Sequence, residues 1–213
     1  MCNDNYPLKP FRIKSHKLLL DIIAKYPLAT VISGMDTNLQ ITLLPLMHQA
    51  GEHQPGLLIG HLDRNNPQAE QLVTGAKVAF VFQGPEAYVS PDIYPDRQLP
   101  GWLYIMVKGD GVITRRFDND GIASILTEST SRFGAPDQQF NLQISDDRIA
   151  QFSDGIIAFE IIIENITGIA KLAQDKGPKH AKLACEFLSK KTTPSSQELL
   201  AKLVEHGLTE EIV

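Results

Sequence analysis

Two short stretches concentrate the side chains that could hold a ligand. In "GLLIGHLDRNNPQAEQL", residues 56–72, a strand-like apolar run passes into a segment with Asn66 as a cap and Pro67 at the first helical position. Arg64 falls beside the first free backbone N–H groups of that expected helix. A phosphate dianion needs a fixed cation, helix-terminal donors and the positive end of a helix dipole, and this junction offers all three. His61 alternates with Leu62 and therefore faces away from the side that Leu62 faces. The same residues also read as a surface arginine, a structural cap and a hydrogen-bonded histidine.

The second stretch, "GPEAYVSPDIYPDRQLPGWLYI", spans residues 84–105 and holds four prolines, three of the five tyrosines and the only tryptophan. Pro85, Pro91, Pro95 and Pro100 restrict the backbone, so Tyr88, Tyr94, Trp102 and Tyr104 are held with less ordering cost when a ligand binds. A planar heteroaromatic molecule would use such a surface. Packing over a barrel end or against another subunit would use it equally, since Tyr and Trp are enriched at interfaces.

The elements that must position these residues follow from periodicity. "SHKLLLDIIAKYP" sets Leu18, Leu19, Ile22 and Ile23 on one helical stripe, with Ser15 as N-cap and Pro27 as the stop. Then "LATVISG", "LQITLLPLM", "GLLIGHL" and "KVAFVFQG" read as a meander of short strands, the last two separated by a short helix over "NNPQAEQLVTG". Strands resume at "WLYIMVKGDGVITR" and, after helical stretches near 119–133 and 146–153, at "GIIAFEIIIENITGIAKL". Seven apolar residues among the eight from Ile156 to Ile163 predict a strand covered on both faces. "PKHAKLACEFLSK" and "SSQELLAKLVEHG" predict two amphipathic helices. Six or seven strands with few helices between them favour a barrel over a doubly wound parallel sheet, so the class is mainly β with flanking helices.

Composition narrows the function. Of 213 residues, 43% are hydrophobic and 21% charged, enough for one sizeable core. A net charge of -5 argues against broad attraction to nucleic acid, although Lys171, Lys176, Lys179, Lys182, Lys190 and Lys191 form a local basic run. That run reads as a solvated helix face or as a contact to DNA phosphates. Cys2 and Cys185 lack metal-type spacing and fit a reduced, cytoplasmic compartment, with no metal site expected. No apolar run approaches the ~20 residues of a membrane span, and the N-terminus lacks a signal-peptide plan.

In their order and spacing, "GHLDRNNPQ", "FQGPEAYVSPDIYP", "PGWLY" and "GIAKLAQDK" resemble the PaiB-like proteins, the FMN-binding negative transcriptional regulators, over about residues 6–190. The resemblance implies a split β-barrel of the FMN-binding type, a homodimer, and flavin at the subunit interface. It divides the chain into an FMN-binding split-barrel domain, residues 1–175, and a helical C-terminal extension, residues 176–213. Matched position by position, it makes His61, Arg64 and Asn65 candidates for the phosphate and ribityl chain. Gln83, Tyr88, Ser90, Trp102 and Tyr104 become candidates for the flavin, with Lys171 and Gln174 closing over it.

Departures from the family pattern fall at polar positions. Leu103 stands for Asn, Gly101 for Thr, Leu43 for His, Asp63 for Ala, Lys108 and Asp110 for a pair of histidines, and Ala173 and Asp175 for Ser and Asn. They imply that FMN is held weakly, that another ligand takes its place, or that only the scaffold is kept. Three functions then stand as expectations: a flavin-dependent or flavin-sensing transcriptional regulator, an FMN-dependent oxidoreductase acting on a nicotinamide or small substrate, and a haem-binding split barrel. No nucleophile-and-base constellation marks the second. The third needs an axial ligand from His16, His48, His53, His61, His180 or His206, of which His180 is the best placed by sequence.

Overall fold

A computed structural model describes residues 7–34, 38–51, 55–135 and 137–207, with the side chains of residues 195 and 204–207 excepted. Cys2 and His53 and the side chain of His206 lie outside the described residues. The chain forms two compact units, one of residues 1–26, 82–108 and 167–213, the other of residues 27–81 and 109–166. The long strands run through both, so the units interleave along the sequence.

The second unit is a barrel. Its strands are β2 (Leu28–Ser33), β3 (Gln40–Gln49), β4 (Leu57–Asp63) and portions of β5 (Lys77–Val89), β6 (Gly101–Arg116) and β7 (Ile156–Lys171). They neighbour one another in the order β7-β4-β3-β2-β5-β6, and β6 pairs back onto β7, closing the ring. Closure requires close backbone approach. A Cβ on Gly109 would lie 2.3 Å from the Asn165 carbonyl, and one on Gly111 would lie 2.1 Å from that of Ile162, so both positions exclude side chains. Inside, Ala29, Val31, Leu44, Leu46, Leu58, Phe80, Phe159 and Ile161 are buried. Outside, helix α2 (Asn119–Phe133), capped by Asp118 on the Gly121 N–H, lays Ile122 and Ile125 on Met47, Ile59 and Ala158. This second layer explains the almost continuous apolar run of β7, which is covered on both faces. Helix α3 (Asp147–Phe152) belongs to the same unit and is capped by Asp146.

The expected helix after β4 is instead a single 3-10 turn, Pro67–Glu70. Gln68 is the cause. Its side chain is fully buried, and the two N–H groups on Nε2 are shared among the Val31 carbonyl, the Ser33 hydroxyl and the Gln40 carbonyl, each 3.1 Å away. These tertiary bonds outweigh the propensity for a longer helix.

In the first unit, α1 (His16–Lys25) begins where Ser15 Oγ accepts the Leu18 N–H and buries Leu18, Leu19, Ile22 and Ile23, as its stripe predicts. The short strand β1 (Arg12–Ile13) pairs with the end of β7. Helices α4 (Pro178–Ser189) and α5 (Pro194–Gly207) pack as a hairpin around Ala181, Ala184, Leu188, Leu199, Leu200 and Leu203. Among the described residues, no helix is long and apolar enough to cross a membrane.

Candidate flavin site

The candidate residues fall into groups, one at the end of β4 and the others in the first unit. At the end of β4, antiparallel pairing of Leu46 with Gly60 and of Met47 with Ile59 fixes the register. Leu58, Gly60 and Leu62 point into the barrel and His61 points out, on the side opposite Leu62 as expected. Burial lowers the basicity of the His61 imidazole, because the cation would lose its water.

Arg64 follows on the turn. Its Nε donates to the Asp154 carbonyl at 2.6 Å and its Nη2 to the Ile156 carbonyl at 3.3 Å. The guanidinium is thus oriented by backbone at one edge, using two of its five N–H donors. Asn65 lends its N–H to the Asp63 carboxylate at 2.7 Å, forming an Asx turn. The next donors are also occupied. Asn66 N bonds to Asp63 O, Gln68 N to the Asn66 side chain and Ala69 N to Asn66 O. The anion site built from free N–H groups and a helix dipole is therefore not present in that form, since one 3-10 turn has little dipole and its donors are used. What remains for a phosphate is the Arg64 charge, with Asp63 as an opposing one.

The aromatic group lies on the hairpin of β5 and β6 in the first unit. Along β5 the buried positions are Val78, Phe80 and Phe82, then Pro85, Ala87 and Val89. The alternation shifts by one residue at Gly84–Pro85, and this places Gln83, Glu86 and Tyr88 all on exposed positions. A strict two-residue period would have separated Gln83 from Tyr88. On β6, Trp102 and Tyr104 alternate with buried Leu103 and Ile105. Tyr88 and Trp102 meet edge to face with ring centroids 6.1 Å apart, and Trp102 Nε1 donates to the Glu86 carboxylate. Both rings stay about half exposed, at 54% and 49%. Glu86 was not among the residues singled out in the sequence, although its place between Gln83 and Tyr88 marks it once the shift is known.

Other candidates are engaged locally. Ser90 caps the 3-10 turn Pro91–Ile93 and donates to Asp92 at 2.7 Å. Gln174 folds back on its own chain, accepting from Leu172 N and donating to Ala170 O, around Ala173 in a left-handed conformation. Lys171 ends β7 and is half-buried. Of the departures, Leu103 is a core residue and offers nothing outward, whereas Leu43 is 64% exposed on the outer barrel face. His180 directs Nε2 to Asp96 at 2.6 Å, so that ring nitrogen is already engaged. Among the described residues, no group of His, Cys, Asp or Glu could hold a metal ion.

The donor set suits FMN in kind. Within the first unit, two open aromatic faces and the Gln83 amide are of the kind that meets a planar heterocycle, and within the second, separately, Arg64 is a cation of the type that binds phosphate. A curated relative, "Protease synthase and sporulation protein PAI 2" of Bacillus subtilis (strain 168), is 25% identical over 210 residues, covering 97% of this chain and 100% of that protein. Two solved structures share the fold. The FAD and haem binding protein of Mycobacterium smegmatis matches with TM-score 0.56 at 19% identity, over 75% of this chain and 73% of that one. The flavocytochrome Anf3 of Azotobacter vinelandii matches with TM-score 0.56 at 11% identity, over 75% and 69%. A family model described as "Putative FMN-binding domain" matches residues 5–165. The chain is an FMN-binding split-barrel protein and belongs to that family.

Proposed function

We propose that this protein is a cytoplasmic homodimer in which bound FMN governs a negative transcriptional regulator. The observation that carries the flavin half is the exposed edge-to-face Tyr88–Trp102 pair, on strands whose joining loop is rich in proline. The dimer half is supported by the outer face of the barrel. Leu28, Ile41 and Leu43 lie on neighbouring strands there and are 56–64% exposed, an apolar strip that a second copy would cover. The regulatory half is supported by full-length similarity to the Bacillus subtilis relative and by the PaiB-like motifs.

Trp102 gives the direct test, because it is the only tryptophan. Titrating FMN into the purified chain should quench its emission saturably, and Leu43→Asp should shift the sedimentation coefficient from dimer to monomer. No quenching removes the flavin reading, and a monomeric parent removes the dimer. Regulation is tested by mobility shift with DNA upstream of the protein's own gene, with charge reversal at Lys179 and Lys182 probing the basic run. If instead a reduced nicotinamide bleaches bound FMN rapidly, the oxidoreductase reading replaces the regulatory one.

A further inference from the structure

The proline-rich loop is tied to the C-terminal helices by a closed ring of contacts within the first unit. His180, on the first turns of α4, places Nε2 2.6 Å from Asp96 Oδ1. Asp96 Oδ2 accepts from Gln98 Nε2 at 2.8 Å, and Gln98 Oε1 accepts from Lys176 Nζ at 2.5 Å. Tyr94 fills the centre. Its ring stacks on the His180 imidazole at 5.2 Å with a 31° tilt and lies under the Lys176 ammonium at 5.9 Å. Residues from the loop, the 3-10 turn Gln174–Lys176 and α4 are thereby joined, and the His180 side chain is only 12% exposed.

We propose that His180 and Asp96 form a protonation-sensitive clasp that fastens the loop of residues 90–100 to helix α4. The imidazole donates to Asp96 whether neutral or protonated, but only the cation adds a charge pair and a stronger bond. The charged and titratable groups around it are Asp96 and Tyr94 from the loop, Lys176 and Asp175 from the 3-10 turn, and Cys185 from α4. The hydrogen bond from His180 is the main influence holding the Asp96 carboxyl below its ordinary range, so a carboxylate faces an imidazole that can take a second proton. The clasp is tighter with the imidazole protonated than with it neutral, and it fails when pH falls far enough to protonate Asp96. The loop runs directly into Trp102, so its attachment sets how firmly that end of β6 is held.

Arg97 lies inside the clasped loop and supplies a trypsin site. Cleavage there requires local opening, and its rate follows the open population when reclosing is fast. The full chain is digested between pH 6 and 8, with rates normalised to a free peptide of residues 92–102 and the product ending at Arg97 read by mass spectrometry. Asp96→Asn and His180→Ala are each expected to speed cleavage several-fold, the double variant no further than the faster single one. The ratio of Asp96→Asn to parent rate is expected to grow from pH 8 to pH 6. A ratio flat with pH overturns the proposal, as do additive single effects. Lys182→Ala, on the same helix but outside the ring, must leave the rate unchanged. If it speeds cleavage equally, the variants act by loosening α4 and the clasp is refuted.

Discussion

Arg64 and Asp154 are 90 positions apart in sequence, yet the Arg64 guanidinium and backbone N–H together bond the carbonyls of Asp154, Gly155 and Ile156. The start of β7 therefore sets the orientation of the one cation at the end of β4. Charge-assisted bonds of this kind hold the planar group so that its other edge can meet a phosphate. Arg64→Ala should weaken FMN binding by about one to two orders of magnitude and lower stability by about 1 kcal/mol. Arg64→Lys should recover little, because a point charge cannot hold the same fork. Unchanged FMN affinity in both variants, measured by Trp102 quenching, would leave Arg64 a structural residue only.

Gln68 closes one end of the barrel by bonding to β2 and to β3 at Gln40. Replacing it with leucine keeps the volume but leaves the Val31 and Gln40 carbonyls without these bonds in a buried place. The expected loss is about 2 kcal/mol, seen as a lower urea midpoint with an unchanged slope. Gln68→Glu should cost more, since a buried carboxylate cannot donate to carbonyls. If the leucine variant is as stable as the parent, the 3-10 turn is held by the Asn66 cap and Pro67 alone.

The sequence carried the local part of this architecture. Ser15, the stripe of α1, the six strands β2 to β7 and the apolar run of β7 all express period and capping, which act over a few residues. The motifs likewise pointed to an FMN-binding split barrel. The helix after β4 was misjudged because Gln68 bonds to strands 28 and more positions away. The common face of Gln83 and Tyr88 was hidden by the shift at Gly84–Pro85, which no alternating pattern contains. Likewise, the free donors expected beside Arg64 are consumed by Asp63 and Asn66, local turn chemistry that a family comparison does not display. Asp96 and His180 meet across 84 positions, a distance at which spacing carries no signal.

Cys185 sits on the buried face of α4, and burial raises its thiol to about 11, with Glu186 adding to the shift. The thiolate is the reactive species, so at pH 8 only about one molecule in a thousand would present it. In a Cys2→Ser background, a disulfide reagent such as Ellman's should modify native protein slowly and unfolded protein at once. Fast native labelling at pH 8 would mean that α4 opens readily, which would also contradict its packing against α5.

His61 yields a prediction in which the sign of the pH effect decides the outcome. Its pKa is lowered in the folded protein by desolvation, so between that value and about 6.5 the unfolded chain binds a proton that the folded one does not. Stability then rises with pH across this window, is fully present above the unfolded value, and declines as pH falls through it until the folded imidazole also titrates. His61→Asn removes the titration while keeping a polar side chain at the same outward position. Its urea stability should therefore fall less steeply than the parent's between pH 7 and 5, with the two curves diverging on the acid side. FMN binding adds a second reading of the same group. If the neutral imidazole donates to or accepts from the cofactor, parent affinity should drop on acidification with the same midpoint that governs stability, and the asparagine variant should lose that dependence. Parallel stability curves for parent and variant would show that His61 is solvated, and would remove it from the site.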